Sequence, residues 1–351
     1  MARETDRRGF FREFLREAAG VVREANLALR TGVEGLGLEP DGVLEPESWH
    51  ESAPVRAVPA RGVLAPGELV ELCGVVGLGE RVDAVKRLLR PSLRLTHAIE
   101  ETHALTRSRL GGIADLTPGF QWPSWRDEEL AFIGQPDLAE LSAFDLGGSL
   151  PERGLLLFFW DVTREPSGLE PGDRRSCRVV HLDADPGDLP PDPEARAWLT
   201  HYPLALSLEL TLPRSSSQYV EALELDEDET PAWDELRECL ARAQGVELEE
   251  LTPHWQALHR LFGYPEELDL DLHVDCQLVS AGVNVLEGEG YEHPRRAELE
   301  STAGDWRLLL QVSGDEDLGS SWGDGFGRIY FWIDEPDLRS HNFDGVWAIL
   351  R

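Results

Sequence analysis

The chain has 351 residues, 41% of them hydrophobic, and a formal net charge of -33, enough apolar content for one large domain or two modest ones. The charge excludes nonspecific attraction to nucleic acid or to an anionic membrane, both polyanions, so no direct nucleic-acid binding is expected and a basic partner is electrostatically allowed. No run of about 18 apolar residues could cross a bilayer as a helix, and Cys73, Cys177, Cys239 and Cys276 lack Cys-x-x-Cys spacing, which points away from structural zinc and toward a reducing cytoplasm.

Arg7-Arg8 imitates an export signal, but Arg12, Glu13, Arg16 and Glu17 interrupt the apolar stretch such a signal needs. Phe10, Phe11, Phe14, Leu15, Ala18, Val21 and Val22 recur instead at helical spacing. The expectation is an amphipathic helix over residues 1–30 that docks a partner through Phe10, Phe11 and Phe14, or packs on its own protein. Residues 31–62, rich in Gly, Pro and acidic side chains, read as a flexible linker. Helices are expected around Leu69 to Cys73 and Arg81 to Leu89, the second halted at Pro91. Strands are expected at Leu155 to Trp160, Leu206 to Leu212, Leu268 to Leu278 and Ile329 to Ile333, and a helix from Pro231 to Ala243.

One signature occurs twice. Leu130 to Gln135, Asp137-Leu138, and Gly154 to Asp161 recur in order as Trp306 to Gln311, Asp317-Leu318, and Gly327 to Asp334, and Arg109-Leu110 and Arg260-Leu261 lead the two copies. The expected fold is α+β within residues 63–351, internally duplicated into related halves of about 96–225 and 250–351. Their sheets would be mainly antiparallel or mixed, since strands and helices do not alternate.

Three groups of residues are candidates for function. Gln135 and Gln311 close equivalent apolar strands; buried, each amide either ties down its own loop or, beside a shared cleft, recognises a polar ligand or partner backbone. Trp322 and Asp324 lie in an acidic, Gly-punctuated loop, where Trp322 is either an exposed contact residue or a core lid. From Leu268 to Leu278 the chain alternates, placing Asp271, His273 and Asp275 on one strand face, a row that is either a solvated sheet face or a site for a divalent cation. Zincin, phosphate-loop and nucleophile-elbow signatures are missing from the sequence.

The Arg109 to Pro123 string with Gly111-Gly112 and Trp122-Pro123, the two copies above, His259 to Pro265, Cys276-Gln277-Leu278 and Trp322-Gly323-Asp324 together resemble the YwqG-like family, a domain of unknown function, over roughly residues 63–351. The resemblance implies an internally duplicated α+β fold and brings no established activity, cofactor or catalytic residue; some members are thought of as immunity-type partners in bacterial toxin neighbourhoods. The reading is a cytoplasmic binding or interaction protein, without a cofactor and not an enzyme, whose partner is a protein. The alternative is a metal-assisted hydrolase or small-ligand-binding protein using Asp271, His273 and Asp275, and a third reading is nucleic-acid mimicry by the acidic surface.

Overall fold

The structure, a computed structural model, describes residues 66–98, 107–144, 146, 150–184, 189, 196–244, 258–266, 271–286, 289–323 and 327–351. The expected N-terminal helix with Phe10, Phe11 and Phe14, the linker, and Asp324 lie outside them.

Ten strands form one sheet in the order β12-β11-β10-β9-β1-β8-β2-β5-β6-β7. They are β1 (Arg90–His97), β2 (Arg109–Leu110), β5 (Ala131–Gln135), β6 (Leu155–Trp160), β7 (Cys177–Leu182), β8 (Tyr202–Thr211), β9 (His259–Phe262), β10 (Trp306–Ser313), β11 (Arg328–Asp334) and β12 (Trp347–Leu350). β3 (Ser124–Trp125) and β4 (Glu128–Glu129) make a separate small hairpin. Every pairing is antiparallel. Leu155 to Trp160 are buried without exception, as a strand needs to be when both its faces are covered, and their aromatic and aliphatic run suits that position.

The sheet curls into a near-barrel. Phe158 on β6 and Phe331 on β11 meet edge to face across the interior, ring centroids 5.2 Å apart, although β6 and β11 lie near opposite ends of the strand order. The edge strands are tied as well: Arg178 on β7 pairs with Asp344 at 2.8 Å, Trp347 Nε1 on β12 donates to the Gly168 carbonyl at 2.8 Å, and Leu350 N donates to the Ser167 carbonyl at 3.1 Å. Gly168 has φ +75, and a Cβ there would strike the Ala348 carbonyl oxygen. We therefore expect Gly168→Ala to cost about 1–3 kcal/mol in thermal or urea unfolding through backbone strain and that clash; an unchanged midpoint would mean the edge does not close at this point.

Local geometry repeats on the two flanks of the central β1–β8 pair. Arg109 pairs with Gln135 and Arg260 with Gln311; the ladder shifts register between Phe132 and Gly134, and between Leu308 and Leu310. Gly111 and Gly112 have φ of 58 and 69, and Phe262 and Gly263 have φ of 60 and 74. Asp137 N donates to Ser108 Oγ at 2.9 Å as Ser313 N donates to His259 Nδ1 at 3.2 Å. The flanks are nevertheless not equivalent units. On one, Leu155, Leu157 and Phe159 pack under Ala114, Leu116 and Trp125. On the other, Leu308, Tyr330 and Trp332 pack with residues of a helix, Leu272–Ser280.

The helices are α1 (Pro66–Val75), α2 (Val82–Leu88), α3 (Leu138–Leu141), α4 (Gln218–Glu221), α5 (Glu229–Ala243), α6 (Leu272–Ser280), α7 (Arg296–Glu300) and α8 (Glu335–Arg339). Trp233, Leu236 and Leu240 of α5 share one face and join Leu69, Cys73 and Val85 in a satellite core. The α6 segment corrects the sequence expectation of an alternating strand. Leu272, Val274, Cys276 and Leu278 are buried, but so are His273, Asp275 and Val279, so the helix is enclosed on nearly every side. A short, mostly apolar run then carries no usable period, and alternation imitates a strand.

Candidate functional site

Five stretches of chain converge on a cleft of about 320 Å³, counted to its open mouth, lined by Arg90, Pro213, Arg214, Ser217, Tyr219, Tyr264, Pro265, Asp271, His273 and Trp332. Arg90 opens β1 next to Pro91, which cannot extend the preceding helix. Its carbonyl accepts from Thr211 Oγ1 at 3.1 Å, and the Thr211 hydroxyl in turn accepts from Tyr264 N at 3.0 Å, so one threonine fixes two walls. Gly263, with φ +74, packs so closely that a Cβ would lie 2.7 Å from Thr211 Oγ1, which lets the turn carrying Tyr264 reach this place.

The aromatic rings set the geometry of the charge. Tyr219 and Tyr264 stand at 69° with centroids 5.7 Å apart, and the Arg90 guanidinium sits in that corner, 5.0 Å and 4.2 Å from the two ring centroids, a cation–π arrangement. The guanidinium makes no hydrogen bond or ion pair with the described residues. Ser217 Oγ, Tyr219 OH and Trp332 Nε1 are buried without a hydrogen-bond partner among the described residues, whereas Arg90 is half-buried.

His273 stacks on Tyr219 at 4.9 Å and its Nε2 contacts Gln218 Nε2. Burial, with Arg90 and Arg307 adding repulsion, pushes its pKa down to about 3, so the ring is neutral at pH 7. Asp271, at the N-terminus of α6, accepts from Gln218 N at 3.0 Å, and burial pushes it up to about 6. An unfolded histidine titrates near 6.5. As pH falls below about 6.5 the unfolded chain therefore takes up a proton that folded His273 refuses until about 3, and stability falls across that window. His273→Gln should flatten the acid limb of a melting-temperature profile between about pH 6.5 and 4; an identical limb would show that the ring is already protonated in the fold.

Behind the cleft, Arg237, Arg214 and Arg260 approach the Glu266 carboxylate at 3.4, 3.5 and 3.5 Å, and Arg328 donates to the Glu266 carbonyl at 2.6 Å. Burial alone would raise the Glu266 pKa, but these arginines hold it at about 2. Arg260 also pairs with Glu209 at 3.4 Å.

The residues singled out from sequence fall in several places. Asp271 and His273 line the cleft, but Asp275 faces Arg351 at 3.2 Å, and among the described residues no group of three His, Cys, Asp or Glu is placed to hold a metal ion. The Asp271, His273 and Asp275 ladder is thus corrected: His273 and Asp275 lie in a helix, where residues two apart do not share a face, and Asp271 stands at its N-cap. Gln135 is wholly buried, accepting from Asp115 N at 2.9 Å and donating to Asp115 Oδ2 at 2.7 Å. Gln311, equally buried, accepts from Glu266 N at 3.0 Å and donates to the Leu258 carbonyl at 2.7 Å. Each amide holds the loop beside its own strand, and Gln311 thereby fixes the residue next to Pro265 of the cleft. Trp322 is buried edge-on against Trp160 at 5.6 Å, the lid of its two sequence readings. Sequence reasoning missed Arg90, Ser217, Tyr219 and Tyr264 as cleft residues; the Arg90-Pro91 boundary and the His259 to Pro265 motif, which contains Tyr264, were the signals pointing near them.

Among the described residues no helix is long and apolar enough to cross a membrane. No curated protein matches the chain. The family described as DUF1963, a domain of unknown function, matches residues 108–351, well over half the chain and both flanks of the sheet from β2 to β12, and the chain belongs to that YwqG-like family.

Proposed function

We propose that this chain is a non-catalytic binding module of the cytoplasm, of the regulatory or immunity type, that its ligand enters the cleft walled by Arg90, Tyr219, Tyr264 and Trp332, and that its flanks descend from one duplicated unit. The observation that carries the site is the concentration in one lining of three buried polar atoms with no partner among the described residues, Ser217 Oγ, Tyr219 OH and Trp332 Nε1, beside the half-buried Arg90 guanidinium. Buried polar groups are nearly always paired, and each one left unpaired costs about 1–3 kcal/mol. Three in one cleft, with a guanidinium beside them, are groups waiting for a ligand. Descent by duplication is supported by the matching Arg–Gln pairs, register shifts and paired positive φ values of the two flanks. A protein partner recruited through Phe10, Phe11 and Phe14 is part of the same proposal and rests on sequence alone.

Hydrogen exchange on the full chain, with and without a bacterial small-molecule extract, tests the site. Slowed exchange over residues 213–219 and 271–279 is expected, together with a bound species in native mass spectrometry. Unchanged exchange over both segments and no bound species would overturn the assignment.

A further inference from the structure

We infer that the cleft recognises a small-molecule oxyanion, a carboxylate or phosphate group, gripped by Arg90 with Ser217, Tyr219 and Trp332 as flanking donors. This deepens, and rests on, the reading of the cleft as the ligand site. The unpartnered groups are chemically one-sided. Arg90 and the indole of Trp332 can only donate, and the hydroxyls of Ser217 and Tyr219 can donate as well. Tyr219 and Tyr264 occupy ring-facing surface of the Arg90 guanidinium, so its N–H edge is what remains for a guest, and that edge matches two oxygens of a carboxylate or phosphate at once.

Behind the wall, Arg214, Arg237 and Arg260 are matched by the carboxylates of Glu266, Glu209 and Asp234, so the cationic edge offered to a guest is that of Arg90. The one carboxylate in the lining, Asp271, already accepts from Gln218 N. The cleft offers little more room than one water needs, so it suits the oxyanion head group itself and not a large ligand.

Titration calorimetry of the full chain at low ionic strength, with inorganic phosphate, acetate, glycerol and imidazolium as separate probes, reads the class directly, and hydrogen exchange over residues 213–219 reports the place. Phosphate or acetate should bind and slow that exchange, and Arg90→Gln should weaken binding by roughly tenfold or more. Arg90→Lys, which keeps the charge and loses the fork, should fall between, and Ser217→Ala and Tyr219→Phe, milder changes that preserve packing, should each weaken it by a few fold. A preference for phosphate or for acetate names the source of the oxyanion, and either supports the inference. Binding equal in all these variants would overturn it. Glycerol or imidazolium slowing exchange where the anions do not would overturn the ligand class while leaving the cleft as the site. If no probe acts here, the oxyanion class falls; the site itself then stands or falls with the extract experiment.

Discussion

Glu266→Leu should destabilise the chain by about 3–5 kcal/mol, the largest effect expected of any single substitution at the cleft. Removing that carboxylate leaves Arg214, Arg237 and Arg260, which approach it at 3.4–3.5 Å, in a partly buried cluster with too little negative charge, and breaking such a cluster from one side costs far more than the cluster contributes as a whole. The measurement is urea unfolding at pH 7, followed by circular dichroism. A loss below about 1 kcal/mol would mean the arginines are solvated well enough to do without their counter-charge. The pH dependence has a definite sign. Glu266 is held at about 2 in the fold and titrates near 4.3 unfolded, so its contribution is complete above about pH 4.3 and is lost as pH falls toward 2. Asp315, held at about 2 first by its hydrogen bond with His259, acts in the same direction. Wild-type protein should lose stability steeply below about pH 4, and Glu266→Leu should lose less there.

Phe331→Ala should cost about 3–5 kcal/mol, and so should Phe158→Ala, because each ring is fully buried and supplies half of the contact that spans the barrel interior. The informative quantity is the pair. With centroids 5.2 Å apart, the two vacancies would merge, and the double variant should lose less than the two single losses added together. Strict additivity in the same urea experiment would show that the rings do not meet.

What the sequence revealed follows from where its signals are strong. β6 and β11 were legible because aromatic and branched residues fill them from end to end, and α5 because Trp233, Leu236 and Leu240 leave a polar face between them. α6 was misread for the opposite reason: its polar residues His273 and Asp275 are buried along with its apolar ones, so no solvent side imposes a helical period. Gln135 closes its strand as expected, whereas β10 runs two residues past Gln311 to Ser313; the partners of the two amides, Asp115 and Glu266, are 20 and 45 positions away and carry no local mark. The cleft was the least legible feature. Its lining comes from five stretches between Arg90 and Trp332, and a lone arginine or tyrosine in each looks like any other until the chain brings them together.

The central place of β1 bears on how the chain reaches this fold. β5, β6 and β7, and likewise β10, β11 and β12, can pair with their sequence neighbours as they form, but β1 meets β8 through contacts such as Arg90 with Thr211, 121 positions apart. Bringing such distant segments together requires closing a long loop before any contact rewards it. Among the described strands β1 leaves the ribosome first, and its sheet neighbours β8 and β9 follow much later. Its pairing edges stay open to other chains for that interval, and the joining of the two flanks is the expected slow step of folding.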